Sequence, residues 1–175
     1  AINALEVMPS DLYLSLNASP ALVLSGRLAE MLAPATPGRI LLEITEHAIV
    51  DDYGELADAL KPLRKSGIRV AIDDAGAGYS TLQHILRLAP DRIKLDMSLT
   101  RSVDTDPARR ALVLAMVLFA RETGAVLIAE GIETRAEFDT LVELGVSQGQ
   151  GYFLGRPETL ARVLELIKSP PGELV

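Results

Sequence analysis

Short apolar runs alternate with longer amphipathic stretches along the whole chain. The short runs are Leu12–Leu16 (LYLSL), Ile40–Ile44 (ILLEI), Ile68–Ile72 (IRVAI), Ile93–Leu95 (IKL), Val126–Ala129 (VLIA) and Gly151–Leu154 (GYFL). Their length and their content of Val, Ile, Tyr and Phe predict buried strands. The longer stretches predict helices. Leu56, Leu60 and Leu63 recur at helical spacing between Asp51 and Ser66, and Gly67 stops that pattern. Asp106–Pro107 reads as a cap followed by proline at the first helical position, opening a helix that runs to Thr123 and stops at Gly124. Thr134 to Leu144 opens with the Thr-x-x-Glu pattern of a capping box through Glu137 and closes at Gly145. Ala21 to Leu32 and Pro157 to Lys168 complete this set. Ser80 reads as the cap of a further helix carrying Leu82, His84, Ile85 and Leu86. Within Ala111–Ala120 (ALVLAMVLFA) the pattern is apolar nearly all round, which predicts a buried helix or a dimer face.

Strand and helix therefore repeat about six times, at roughly 20–35 residues per unit, which is an α/β pattern. No internal boundary divides the chain. Residues 1–168 read as one domain, and 169–175 (SPPGELV) as a Pro-rich tail or linker. An open doubly wound sheet and a closed eight-unit barrel both suit such units. The strand ends discriminate between them. Polar or acidic residues stand at nearly every one: Asn17, Glu43 with Glu46, Asp73 with Asp74, Lys94 with Asp96, Glu130 with Glu133, and Gln150. A doubly wound sheet gathers its site at one switch point, so only two or three strands need such groups. In a barrel all strand ends meet at one mouth. The pattern predicts a TIM-like (β/α) barrel with about six of its eight units in this chain. Such barrels take about 250 residues, so the chain is about 75 residues short.

Composition narrows the chemistry. The 175 residues include 49% apolar and 23% charged side chains, which is a globular composition. No run of about 18 uncharged apolar residues is present, so no membrane span is expected. No basic-then-apolar leader opens the sequence, and a cytoplasmic protein, or the cytoplasmic portion of a larger one, is expected. Zero Cys removes disulfides, thiolate zinc sites and Cys nucleophiles, and two His cannot build a His-rich metal site. Twenty-four acidic against seventeen basic residues, net −7, disfavour a grip on polymeric nucleic acid, and 4% aromatics leave few stacking platforms.

Carboxylates converging on one mouth repel. At about 4 Å each pair of unit charges costs on the order of 4 kcal/mol at intermediate dielectric. Hard divalent cations such as Mg²⁺, Mn²⁺ or Ca²⁺ relieve this, and Asn17 adds a neutral oxygen. Adjacent Asp73 and Asp74 suit two metals about 3.5–4 Å apart, an arrangement for in-line phosphodiester hydrolysis. Lys94 is the cation among these acids, placed to orient or deprotonate an attacking water or to stabilise developing phosphorane charge. Gly76 and Gly78 fit positive φ in a tight metal-binding loop better than a dinucleotide fingerprint, whose third glycine is missing. His47 and His84 have no His partner at ligand spacing.

At Asp73–Asp74–Ala75–Gly76–Ala77–Gly78–Tyr79–Ser80 the chain resembles the EAL domain family of cyclic-di-GMP phosphodiesterases. Six motifs come in the family order: LSLNAS (14–19), LEITE (42–46), IDDAGAGYS (72–80), IKLD (93–96), AEGIET (129–134) and QGQGYFLGRP (148–157). The resemblance implies a modified eight-unit barrel that hydrolyses cyclic-di-GMP to linear pGpG in bacterial second-messenger signalling, with Mg²⁺ or Mn²⁺, two per site. It implies that Asn17, Glu43 and Asp73 bind one metal. Asp73 and Asp74 bind the other, joined by Glu130 directly or through water. Lys94 matches the lysine beside the nucleophilic water, so Lys94, Glu130 and Asp73 are the expected catalytic set. Gln150 matches a pocket-lining glutamine, and Glu46 a glutamate that braces the loop after the Asp pair. Asp96, Glu133, Gly76 and Gly78 hold their family positions as substrate-binding or supporting residues. The resemblance also allows a homodimer and an attached sensory or GGDEF domain.

Three departures qualify it. The naming Glu-Ala-Leu motif, with its metal-binding glutamate and a nearby phosphate-holding arginine, is absent, so the chain is expected to be the C-terminal two-thirds of the domain. Ala75 replaces the usual Phe, and Ala77 the usual Thr, in a loop that helps position the second metal and often contributes dimer contacts. These departures motivate an alternative: a degenerate domain, weak or inactive as an enzyme, that senses cyclic-di-GMP. A purely structural, dimerising domain ranks last, because it leaves the carboxylates unexplained.

Overall fold

The computed structural model describes residues 2–32, 38–44, 52–76 and 85–168. Six strands are present among them: β1 (Leu14–Ala18), β2 (Ile40–Ile44), β3 (Arg69–Ala75), β4 (Arg92–Leu95), β5 (Val126–Ala129) and β6 (Gln148–Gly149). They form one parallel sheet in the order β1-β2-β3-β4-β5-β6, each strand pairing with the next in sequence. Helices join them: α1 (Pro20–Leu24), α2 (Arg27–Leu32), α3 (Tyr53–Lys65), the short α4 (Met97–Thr100), α5 (Pro107–Thr123), α6 (Arg135–Glu143) and, after β6, α7 (Leu160–Lys168). Residues 85–88 are also helical. Sequential parallel order with helical crossovers is the arrangement of a partial TIM-like barrel, as the sequence predicts.

β2 to β5 are largely buried, whereas β1 exposes Ser15 and Asn17 and β6 is partly open. Ile40, Leu42, Val70, Ile72, Ile93 and Leu95 lie under the helices, against Leu56, Leu60 and Leu63 of α3. The helix ends follow the sequence closely. Asp52, Asp106 and Thr134 cap α3, α5 and α6, the last in a full capping box with Glu137. Gly124 closes α5 in the left-handed region at φ 75°, where a Cβ would be strained.

Four expectations need correction. Gly151–Leu154 is not a strand. Leu154 and Gly155 donate back to the Gly151 carbonyl at 3.0 Å, making a turn, and β6 is residues 148–149, before Gln150. The apolar character of 151–154 comes instead from Phe153 packing on Phe138, ring centroids 5.7 Å apart. Ala21–Leu32 is two helices, broken where Gly26 takes φ 71°. The first strand lies two residues later than the run Leu12–Leu16. Finally, α5 is not buried all round. Val113 and Ala120 face the core, whereas Leu112, Leu114 and Leu118 are each more than half exposed.

Candidate active site

The register builds the site layer by layer. Asn17 lies opposite Glu43, Glu43 opposite Ala71, and Ala71 opposite Arg92. One step further along, Lys94 lies opposite Ile128, and Ile128 opposite Gln148. Residues two apart on a strand share a face, so these layers stack toward the C-terminal strand ends. Between them the β3–β4 register shifts. Ile72 pairs with Ile93 and Ala75 with Leu95, so Asp73 and Asp74 together oppose the single Lys94. This is a bulge, and Asp74 sits in the left-handed region at φ 55°. In a regular strand, neighbours point to opposite faces. Here the extra residue brings both carboxylates to one side. Oxygens of Asp73, Asp74 and Glu130 lie within 4.8 Å of one another.

Lys94 is the electrostatic centre. Its Nζ donates to Glu43 Oε2 at 2.9 Å and to Asp73 Oδ1 at 2.8 Å, and pairs with Glu130 Oε1 at 2.8 Å. Its side chain is 6% exposed. Burial alone lowers the pKa of an ammonium, but hydrogen bonds to Asp73, Glu130 and Glu43 outweigh it, and the net shift is upward. Glu130 feels the opposite balance. Burial pushes its carboxyl up; the Lys94 ammonium opposes this, the Asp73 and Asp74 carboxylates add to it, and the result is about 7. Gln150 Nε2 donates to Glu130 Oε1 at 2.5 Å.

Ser15, which the sequence did not single out, donates its hydroxyl to Glu43. Its position two residues before Asn17, on the same face of β1, is the signal that would have found it. Arg92, two residues before Lys94, is a second buried cation; its Nη1 donates to Gln148 at 2.5 Å and its guanidinium lies 4.9 Å from the Tyr13 ring centre.

The remaining expected residues fall around this centre. Asn17 is exposed beside Glu43. Asp96 caps α4, accepting from the Ser98 amide at 2.9 Å. Glu133 pairs with Arg101 at 2.6 Å. Gly76 takes φ 111°, and a Cβ there would stand 2.3 Å from Leu99 Cδ1, so only glycine fits. Glu46 and Gly78, with His47, Ser80 and His84, lie outside the described residues. Two clefts of about 540 Å³ each lie here, one lined by the centre itself and one beside it. One is lined by Glu133, Gln150, Tyr152 and Arg156, the other by Tyr13, Ser15, Glu43 and Lys94. Gln150 lines both.

The three-carboxylate cluster is an all-oxygen, anionic donor set, which fits a hard divalent cation such as Mg²⁺, Mn²⁺ or Ca²⁺. No helix among the described residues is long and apolar enough to cross a membrane.

Known proteins give an independent view. The model of the EAL domain family matches residues 1–157. The chain is 33% identical over 159 residues to the cyclic di-GMP phosphodiesterase RocR of Pseudomonas aeruginosa, over 87% of this chain and 41% of that protein. It thus spans well under half the length of that relative. Among solved structures, the EAL domain of Mycobacterium smegmatis DcpA superposes with a TM-score of 0.80 at 32% identity, over 88% of this chain and 72% of that one. A Klebsiella pneumoniae BlrP1 complex with manganese and cyclic-di-GMP superposes with a TM-score of 0.77 at 31% identity, over 86% and 41% of the two chains.

Proposed function

The chain belongs to the EAL domain family, and on that footing we propose that it is a phosphodiesterase domain that hydrolyses cyclic-di-GMP to linear pGpG with divalent cations, Mg²⁺ or Mn²⁺. Asp73, Asp74 and Glu130 would hold one cation, and Asn17, Glu43 and Asp73 would hold the other. Bound there, such ions supply Lewis acidity and a more acidic water. Water adds to one phosphorus of the cyclic substrate, the P–O3′ bond breaks, and the departing oxygen takes a proton. The chain's own groups prepare that step. Lys94, surrounded by three carboxylates, stays an ammonium and is not the proton acceptor; its three N–H groups are taken by Glu43, Asp73 and Glu130, and one that a carboxylate releases to a bound cation would donate to the attacking water or to the developing phosphate charge. Gln150 fixes the rotamer of Glu130 through its amide. Ser15 does the same for Glu43 through its hydroxyl.

The observation that carries this reading is the bulge that sets Asp73 and Asp74 opposite Lys94, with Glu130 completing the acidic cluster. The relative named as a cyclic di-GMP phosphodiesterase, and the solved complex with cyclic-di-GMP, support the substrate. The test is chromatographic detection of pGpG when the full-length protein meets cyclic-di-GMP with Mn²⁺ or Mg²⁺. Accumulation of pGpG is expected, and Glu43→Ala or Asp73→Ala should remove turnover while unfolding stays cooperative. Calorimetric binding of cyclic-di-GMP without any pGpG would overturn the hydrolase reading in favour of a sensor domain. Full turnover in either variant would overturn the residue assignment.

A further inference from the structure

Glu137 has no part in the chemistry just described, yet the residue is 5% exposed and its carboxylate makes more polar contacts than a helix cap requires. The capping box accounts for one amide: Oε2 accepts from Thr134 N at 3.0 Å. Oε2 also accepts from Glu133 N at 3.0 Å. Oε1 accepts from Ser102 N at 2.9 Å, across 35 positions of sequence. Burial alone would raise the pKa of this carboxyl, but the amides of Ser102, Glu133 and Thr134 outweigh it, and it titrates below the usual range.

These contacts form part of a closed circuit around Glu130. The turn that begins at Arg101 follows α4, whose Thr100 hydroxyl donates to the Glu130 carbonyl. Ser102 holds φ 57°, a conformation a non-glycine residue keeps only when its surroundings enforce it. On the other side, Glu133 and Thr134 end the segment that leaves β5 through Glu130. Within that segment Ile132 donates to the Gln150 carbonyl at 3.2 Å. Gly131 packs so closely on Met97 that a Cβ would lie 2.6 Å from Met97 Cβ. The backbone of Glu130 is thus gripped by α4 on one side and by its own loop on the other, and Glu137 is the tie between the two grips.

We propose that Glu137 is a positioning residue for the Glu130 side of the site: it bridges the turn after α4 to the loop after β5, and through that bridge sets where the Glu130 carboxylate and the Gln150 amide stand. The proposal rests on the metal-site reading above. A carboxylate is required because both oxygens must accept. Glutamine presents one acceptor and one NH₂, so it serves either Ser102 or the Glu133–Thr134 pair and turns a donor against the other.

The test is Mn²⁺ affinity, measured by calorimetry on the full-length protein with the metal alone. Glu137→Gln should weaken Mn²⁺ binding about 10-fold or more, the usual effect of removing a group that orients a ligand. Asp52→Ala, which removes the cap of α3 and none of the bonds to Ser102, Glu133 or Thr134, serves as the control for lost stability. It should lower the melting temperature and leave Mn²⁺ affinity within about twofold of the parent. Parent-like Mn²⁺ affinity in Glu137→Gln, or an equal loss in both variants, would overturn the proposal. If Glu137→Gln does not fold, hydrogen exchange on the parent decides. Mn²⁺ should slow exchange at the amides of Ser102, Glu133 and Thr134, because coupling between sites is reciprocal. No change there overturns the proposal. A parent that binds Mn²⁺ but makes no pGpG refutes the hydrolase reading alone; a parent that does not bind Mn²⁺ refutes the metal site and this inference together.

Discussion

Asp74 occupies the left-handed region, where Asp and Asn are tolerated and most other side chains are strained. That makes Asp74→Asn a clean removal of charge: the bulge persists, and one carboxylate leaves the cluster. Among the neighbours of Glu130, Asp73 and Asp74 push its pKa up, Lys94 pulls it down, and burial is the largest influence. Removing the Asp74 charge should therefore move the Glu130 titration below its value of about 7 in the metal-free protein. Carboxyl NMR reads this directly, and an unmoved titration would show that Asp74 does not face Glu130. The same shift sets a stability effect of known sign. Glu130 binds its proton more tightly folded, at about 7, than at the ordinary 4.5. Its contribution is fully present below 4.5, is lost as pH rises through 7, and changes no further above that. Metal-free urea melts of parent and Asp74→Asn should therefore differ in slope between those values, the variant flattening at lower pH.

At the scale of elements, much was legible and the gaps have physical causes. β2 and β5 lie where their apolar runs lie, and the caps at Asp106 and Thr134 are as the sequence indicates, because strand burial and capping are local. The turn at 151–154 reads as a strand in sequence because Phe153 and Tyr152 carry the composition of one. Phe153 is apolar for tertiary reasons, packing on Phe138 of α6. The Asp–Asp bulge was legible as a pair of ligands but not as a bulge, since its register depends on β4. The Lys94 cluster was visible as one cation among acids. That the ammonium meets three of them depends on how β2, β3 and the end of β5 align. Arg39 is a sharper case. Nothing in its surroundings in sequence marks it, yet its guanidinium donates to the carbonyls of Leu5, Met8, Pro9 and Leu12 at 2.7–3.2 Å, tying the segment before β1 to the start of β2. A lysine cannot reproduce that fork. Arg39→Lys should cost about 1–3 kcal/mol, with carbonyls left unsatisfied. Hydrogen exchange should quicken along residues 2–14 while the amides of α6 stay as protected as before; uniform loss of protection would mean that Arg39 supports the whole sheet.

The whole molecule divides its stability unevenly. Its apolar layers lie between the strands and helices, whereas the C-terminal strand ends carry Glu43, Asp73, Asp74 and Glu130 against the single Lys94 ammonium. Three separate chain segments, from β2, from the β3 bulge and from the end of β5, bring like charge to one place. The ammonium holds three of these carboxylates without neutralising the set. A divalent cation bound only by the folded protein adds stability by mass action, about 2.7 kcal/mol when its concentration is 100 times the dissociation constant. For a domain of this size each kcal/mol raises the melting temperature by about 2–4 °C, so Mn²⁺ should raise it by about 5–10 °C and EDTA should reverse the gain. The size of the rise should depend on pH. Below about 7 the proton on Glu130 competes with the ion, and above it the carboxylate is free to bind, so the Mn²⁺ shift should grow from pH 6 to pH 8 and then level off. Scanning calorimetry of the full-length protein with Mn²⁺ or EDTA at those pH values checks both statements. Equal melting temperatures with Mn²⁺ and with EDTA at pH 8 would mean that Lys94 alone satisfies the cluster, and that the acidic strand ends are a structural ion-pair network and not a metal site.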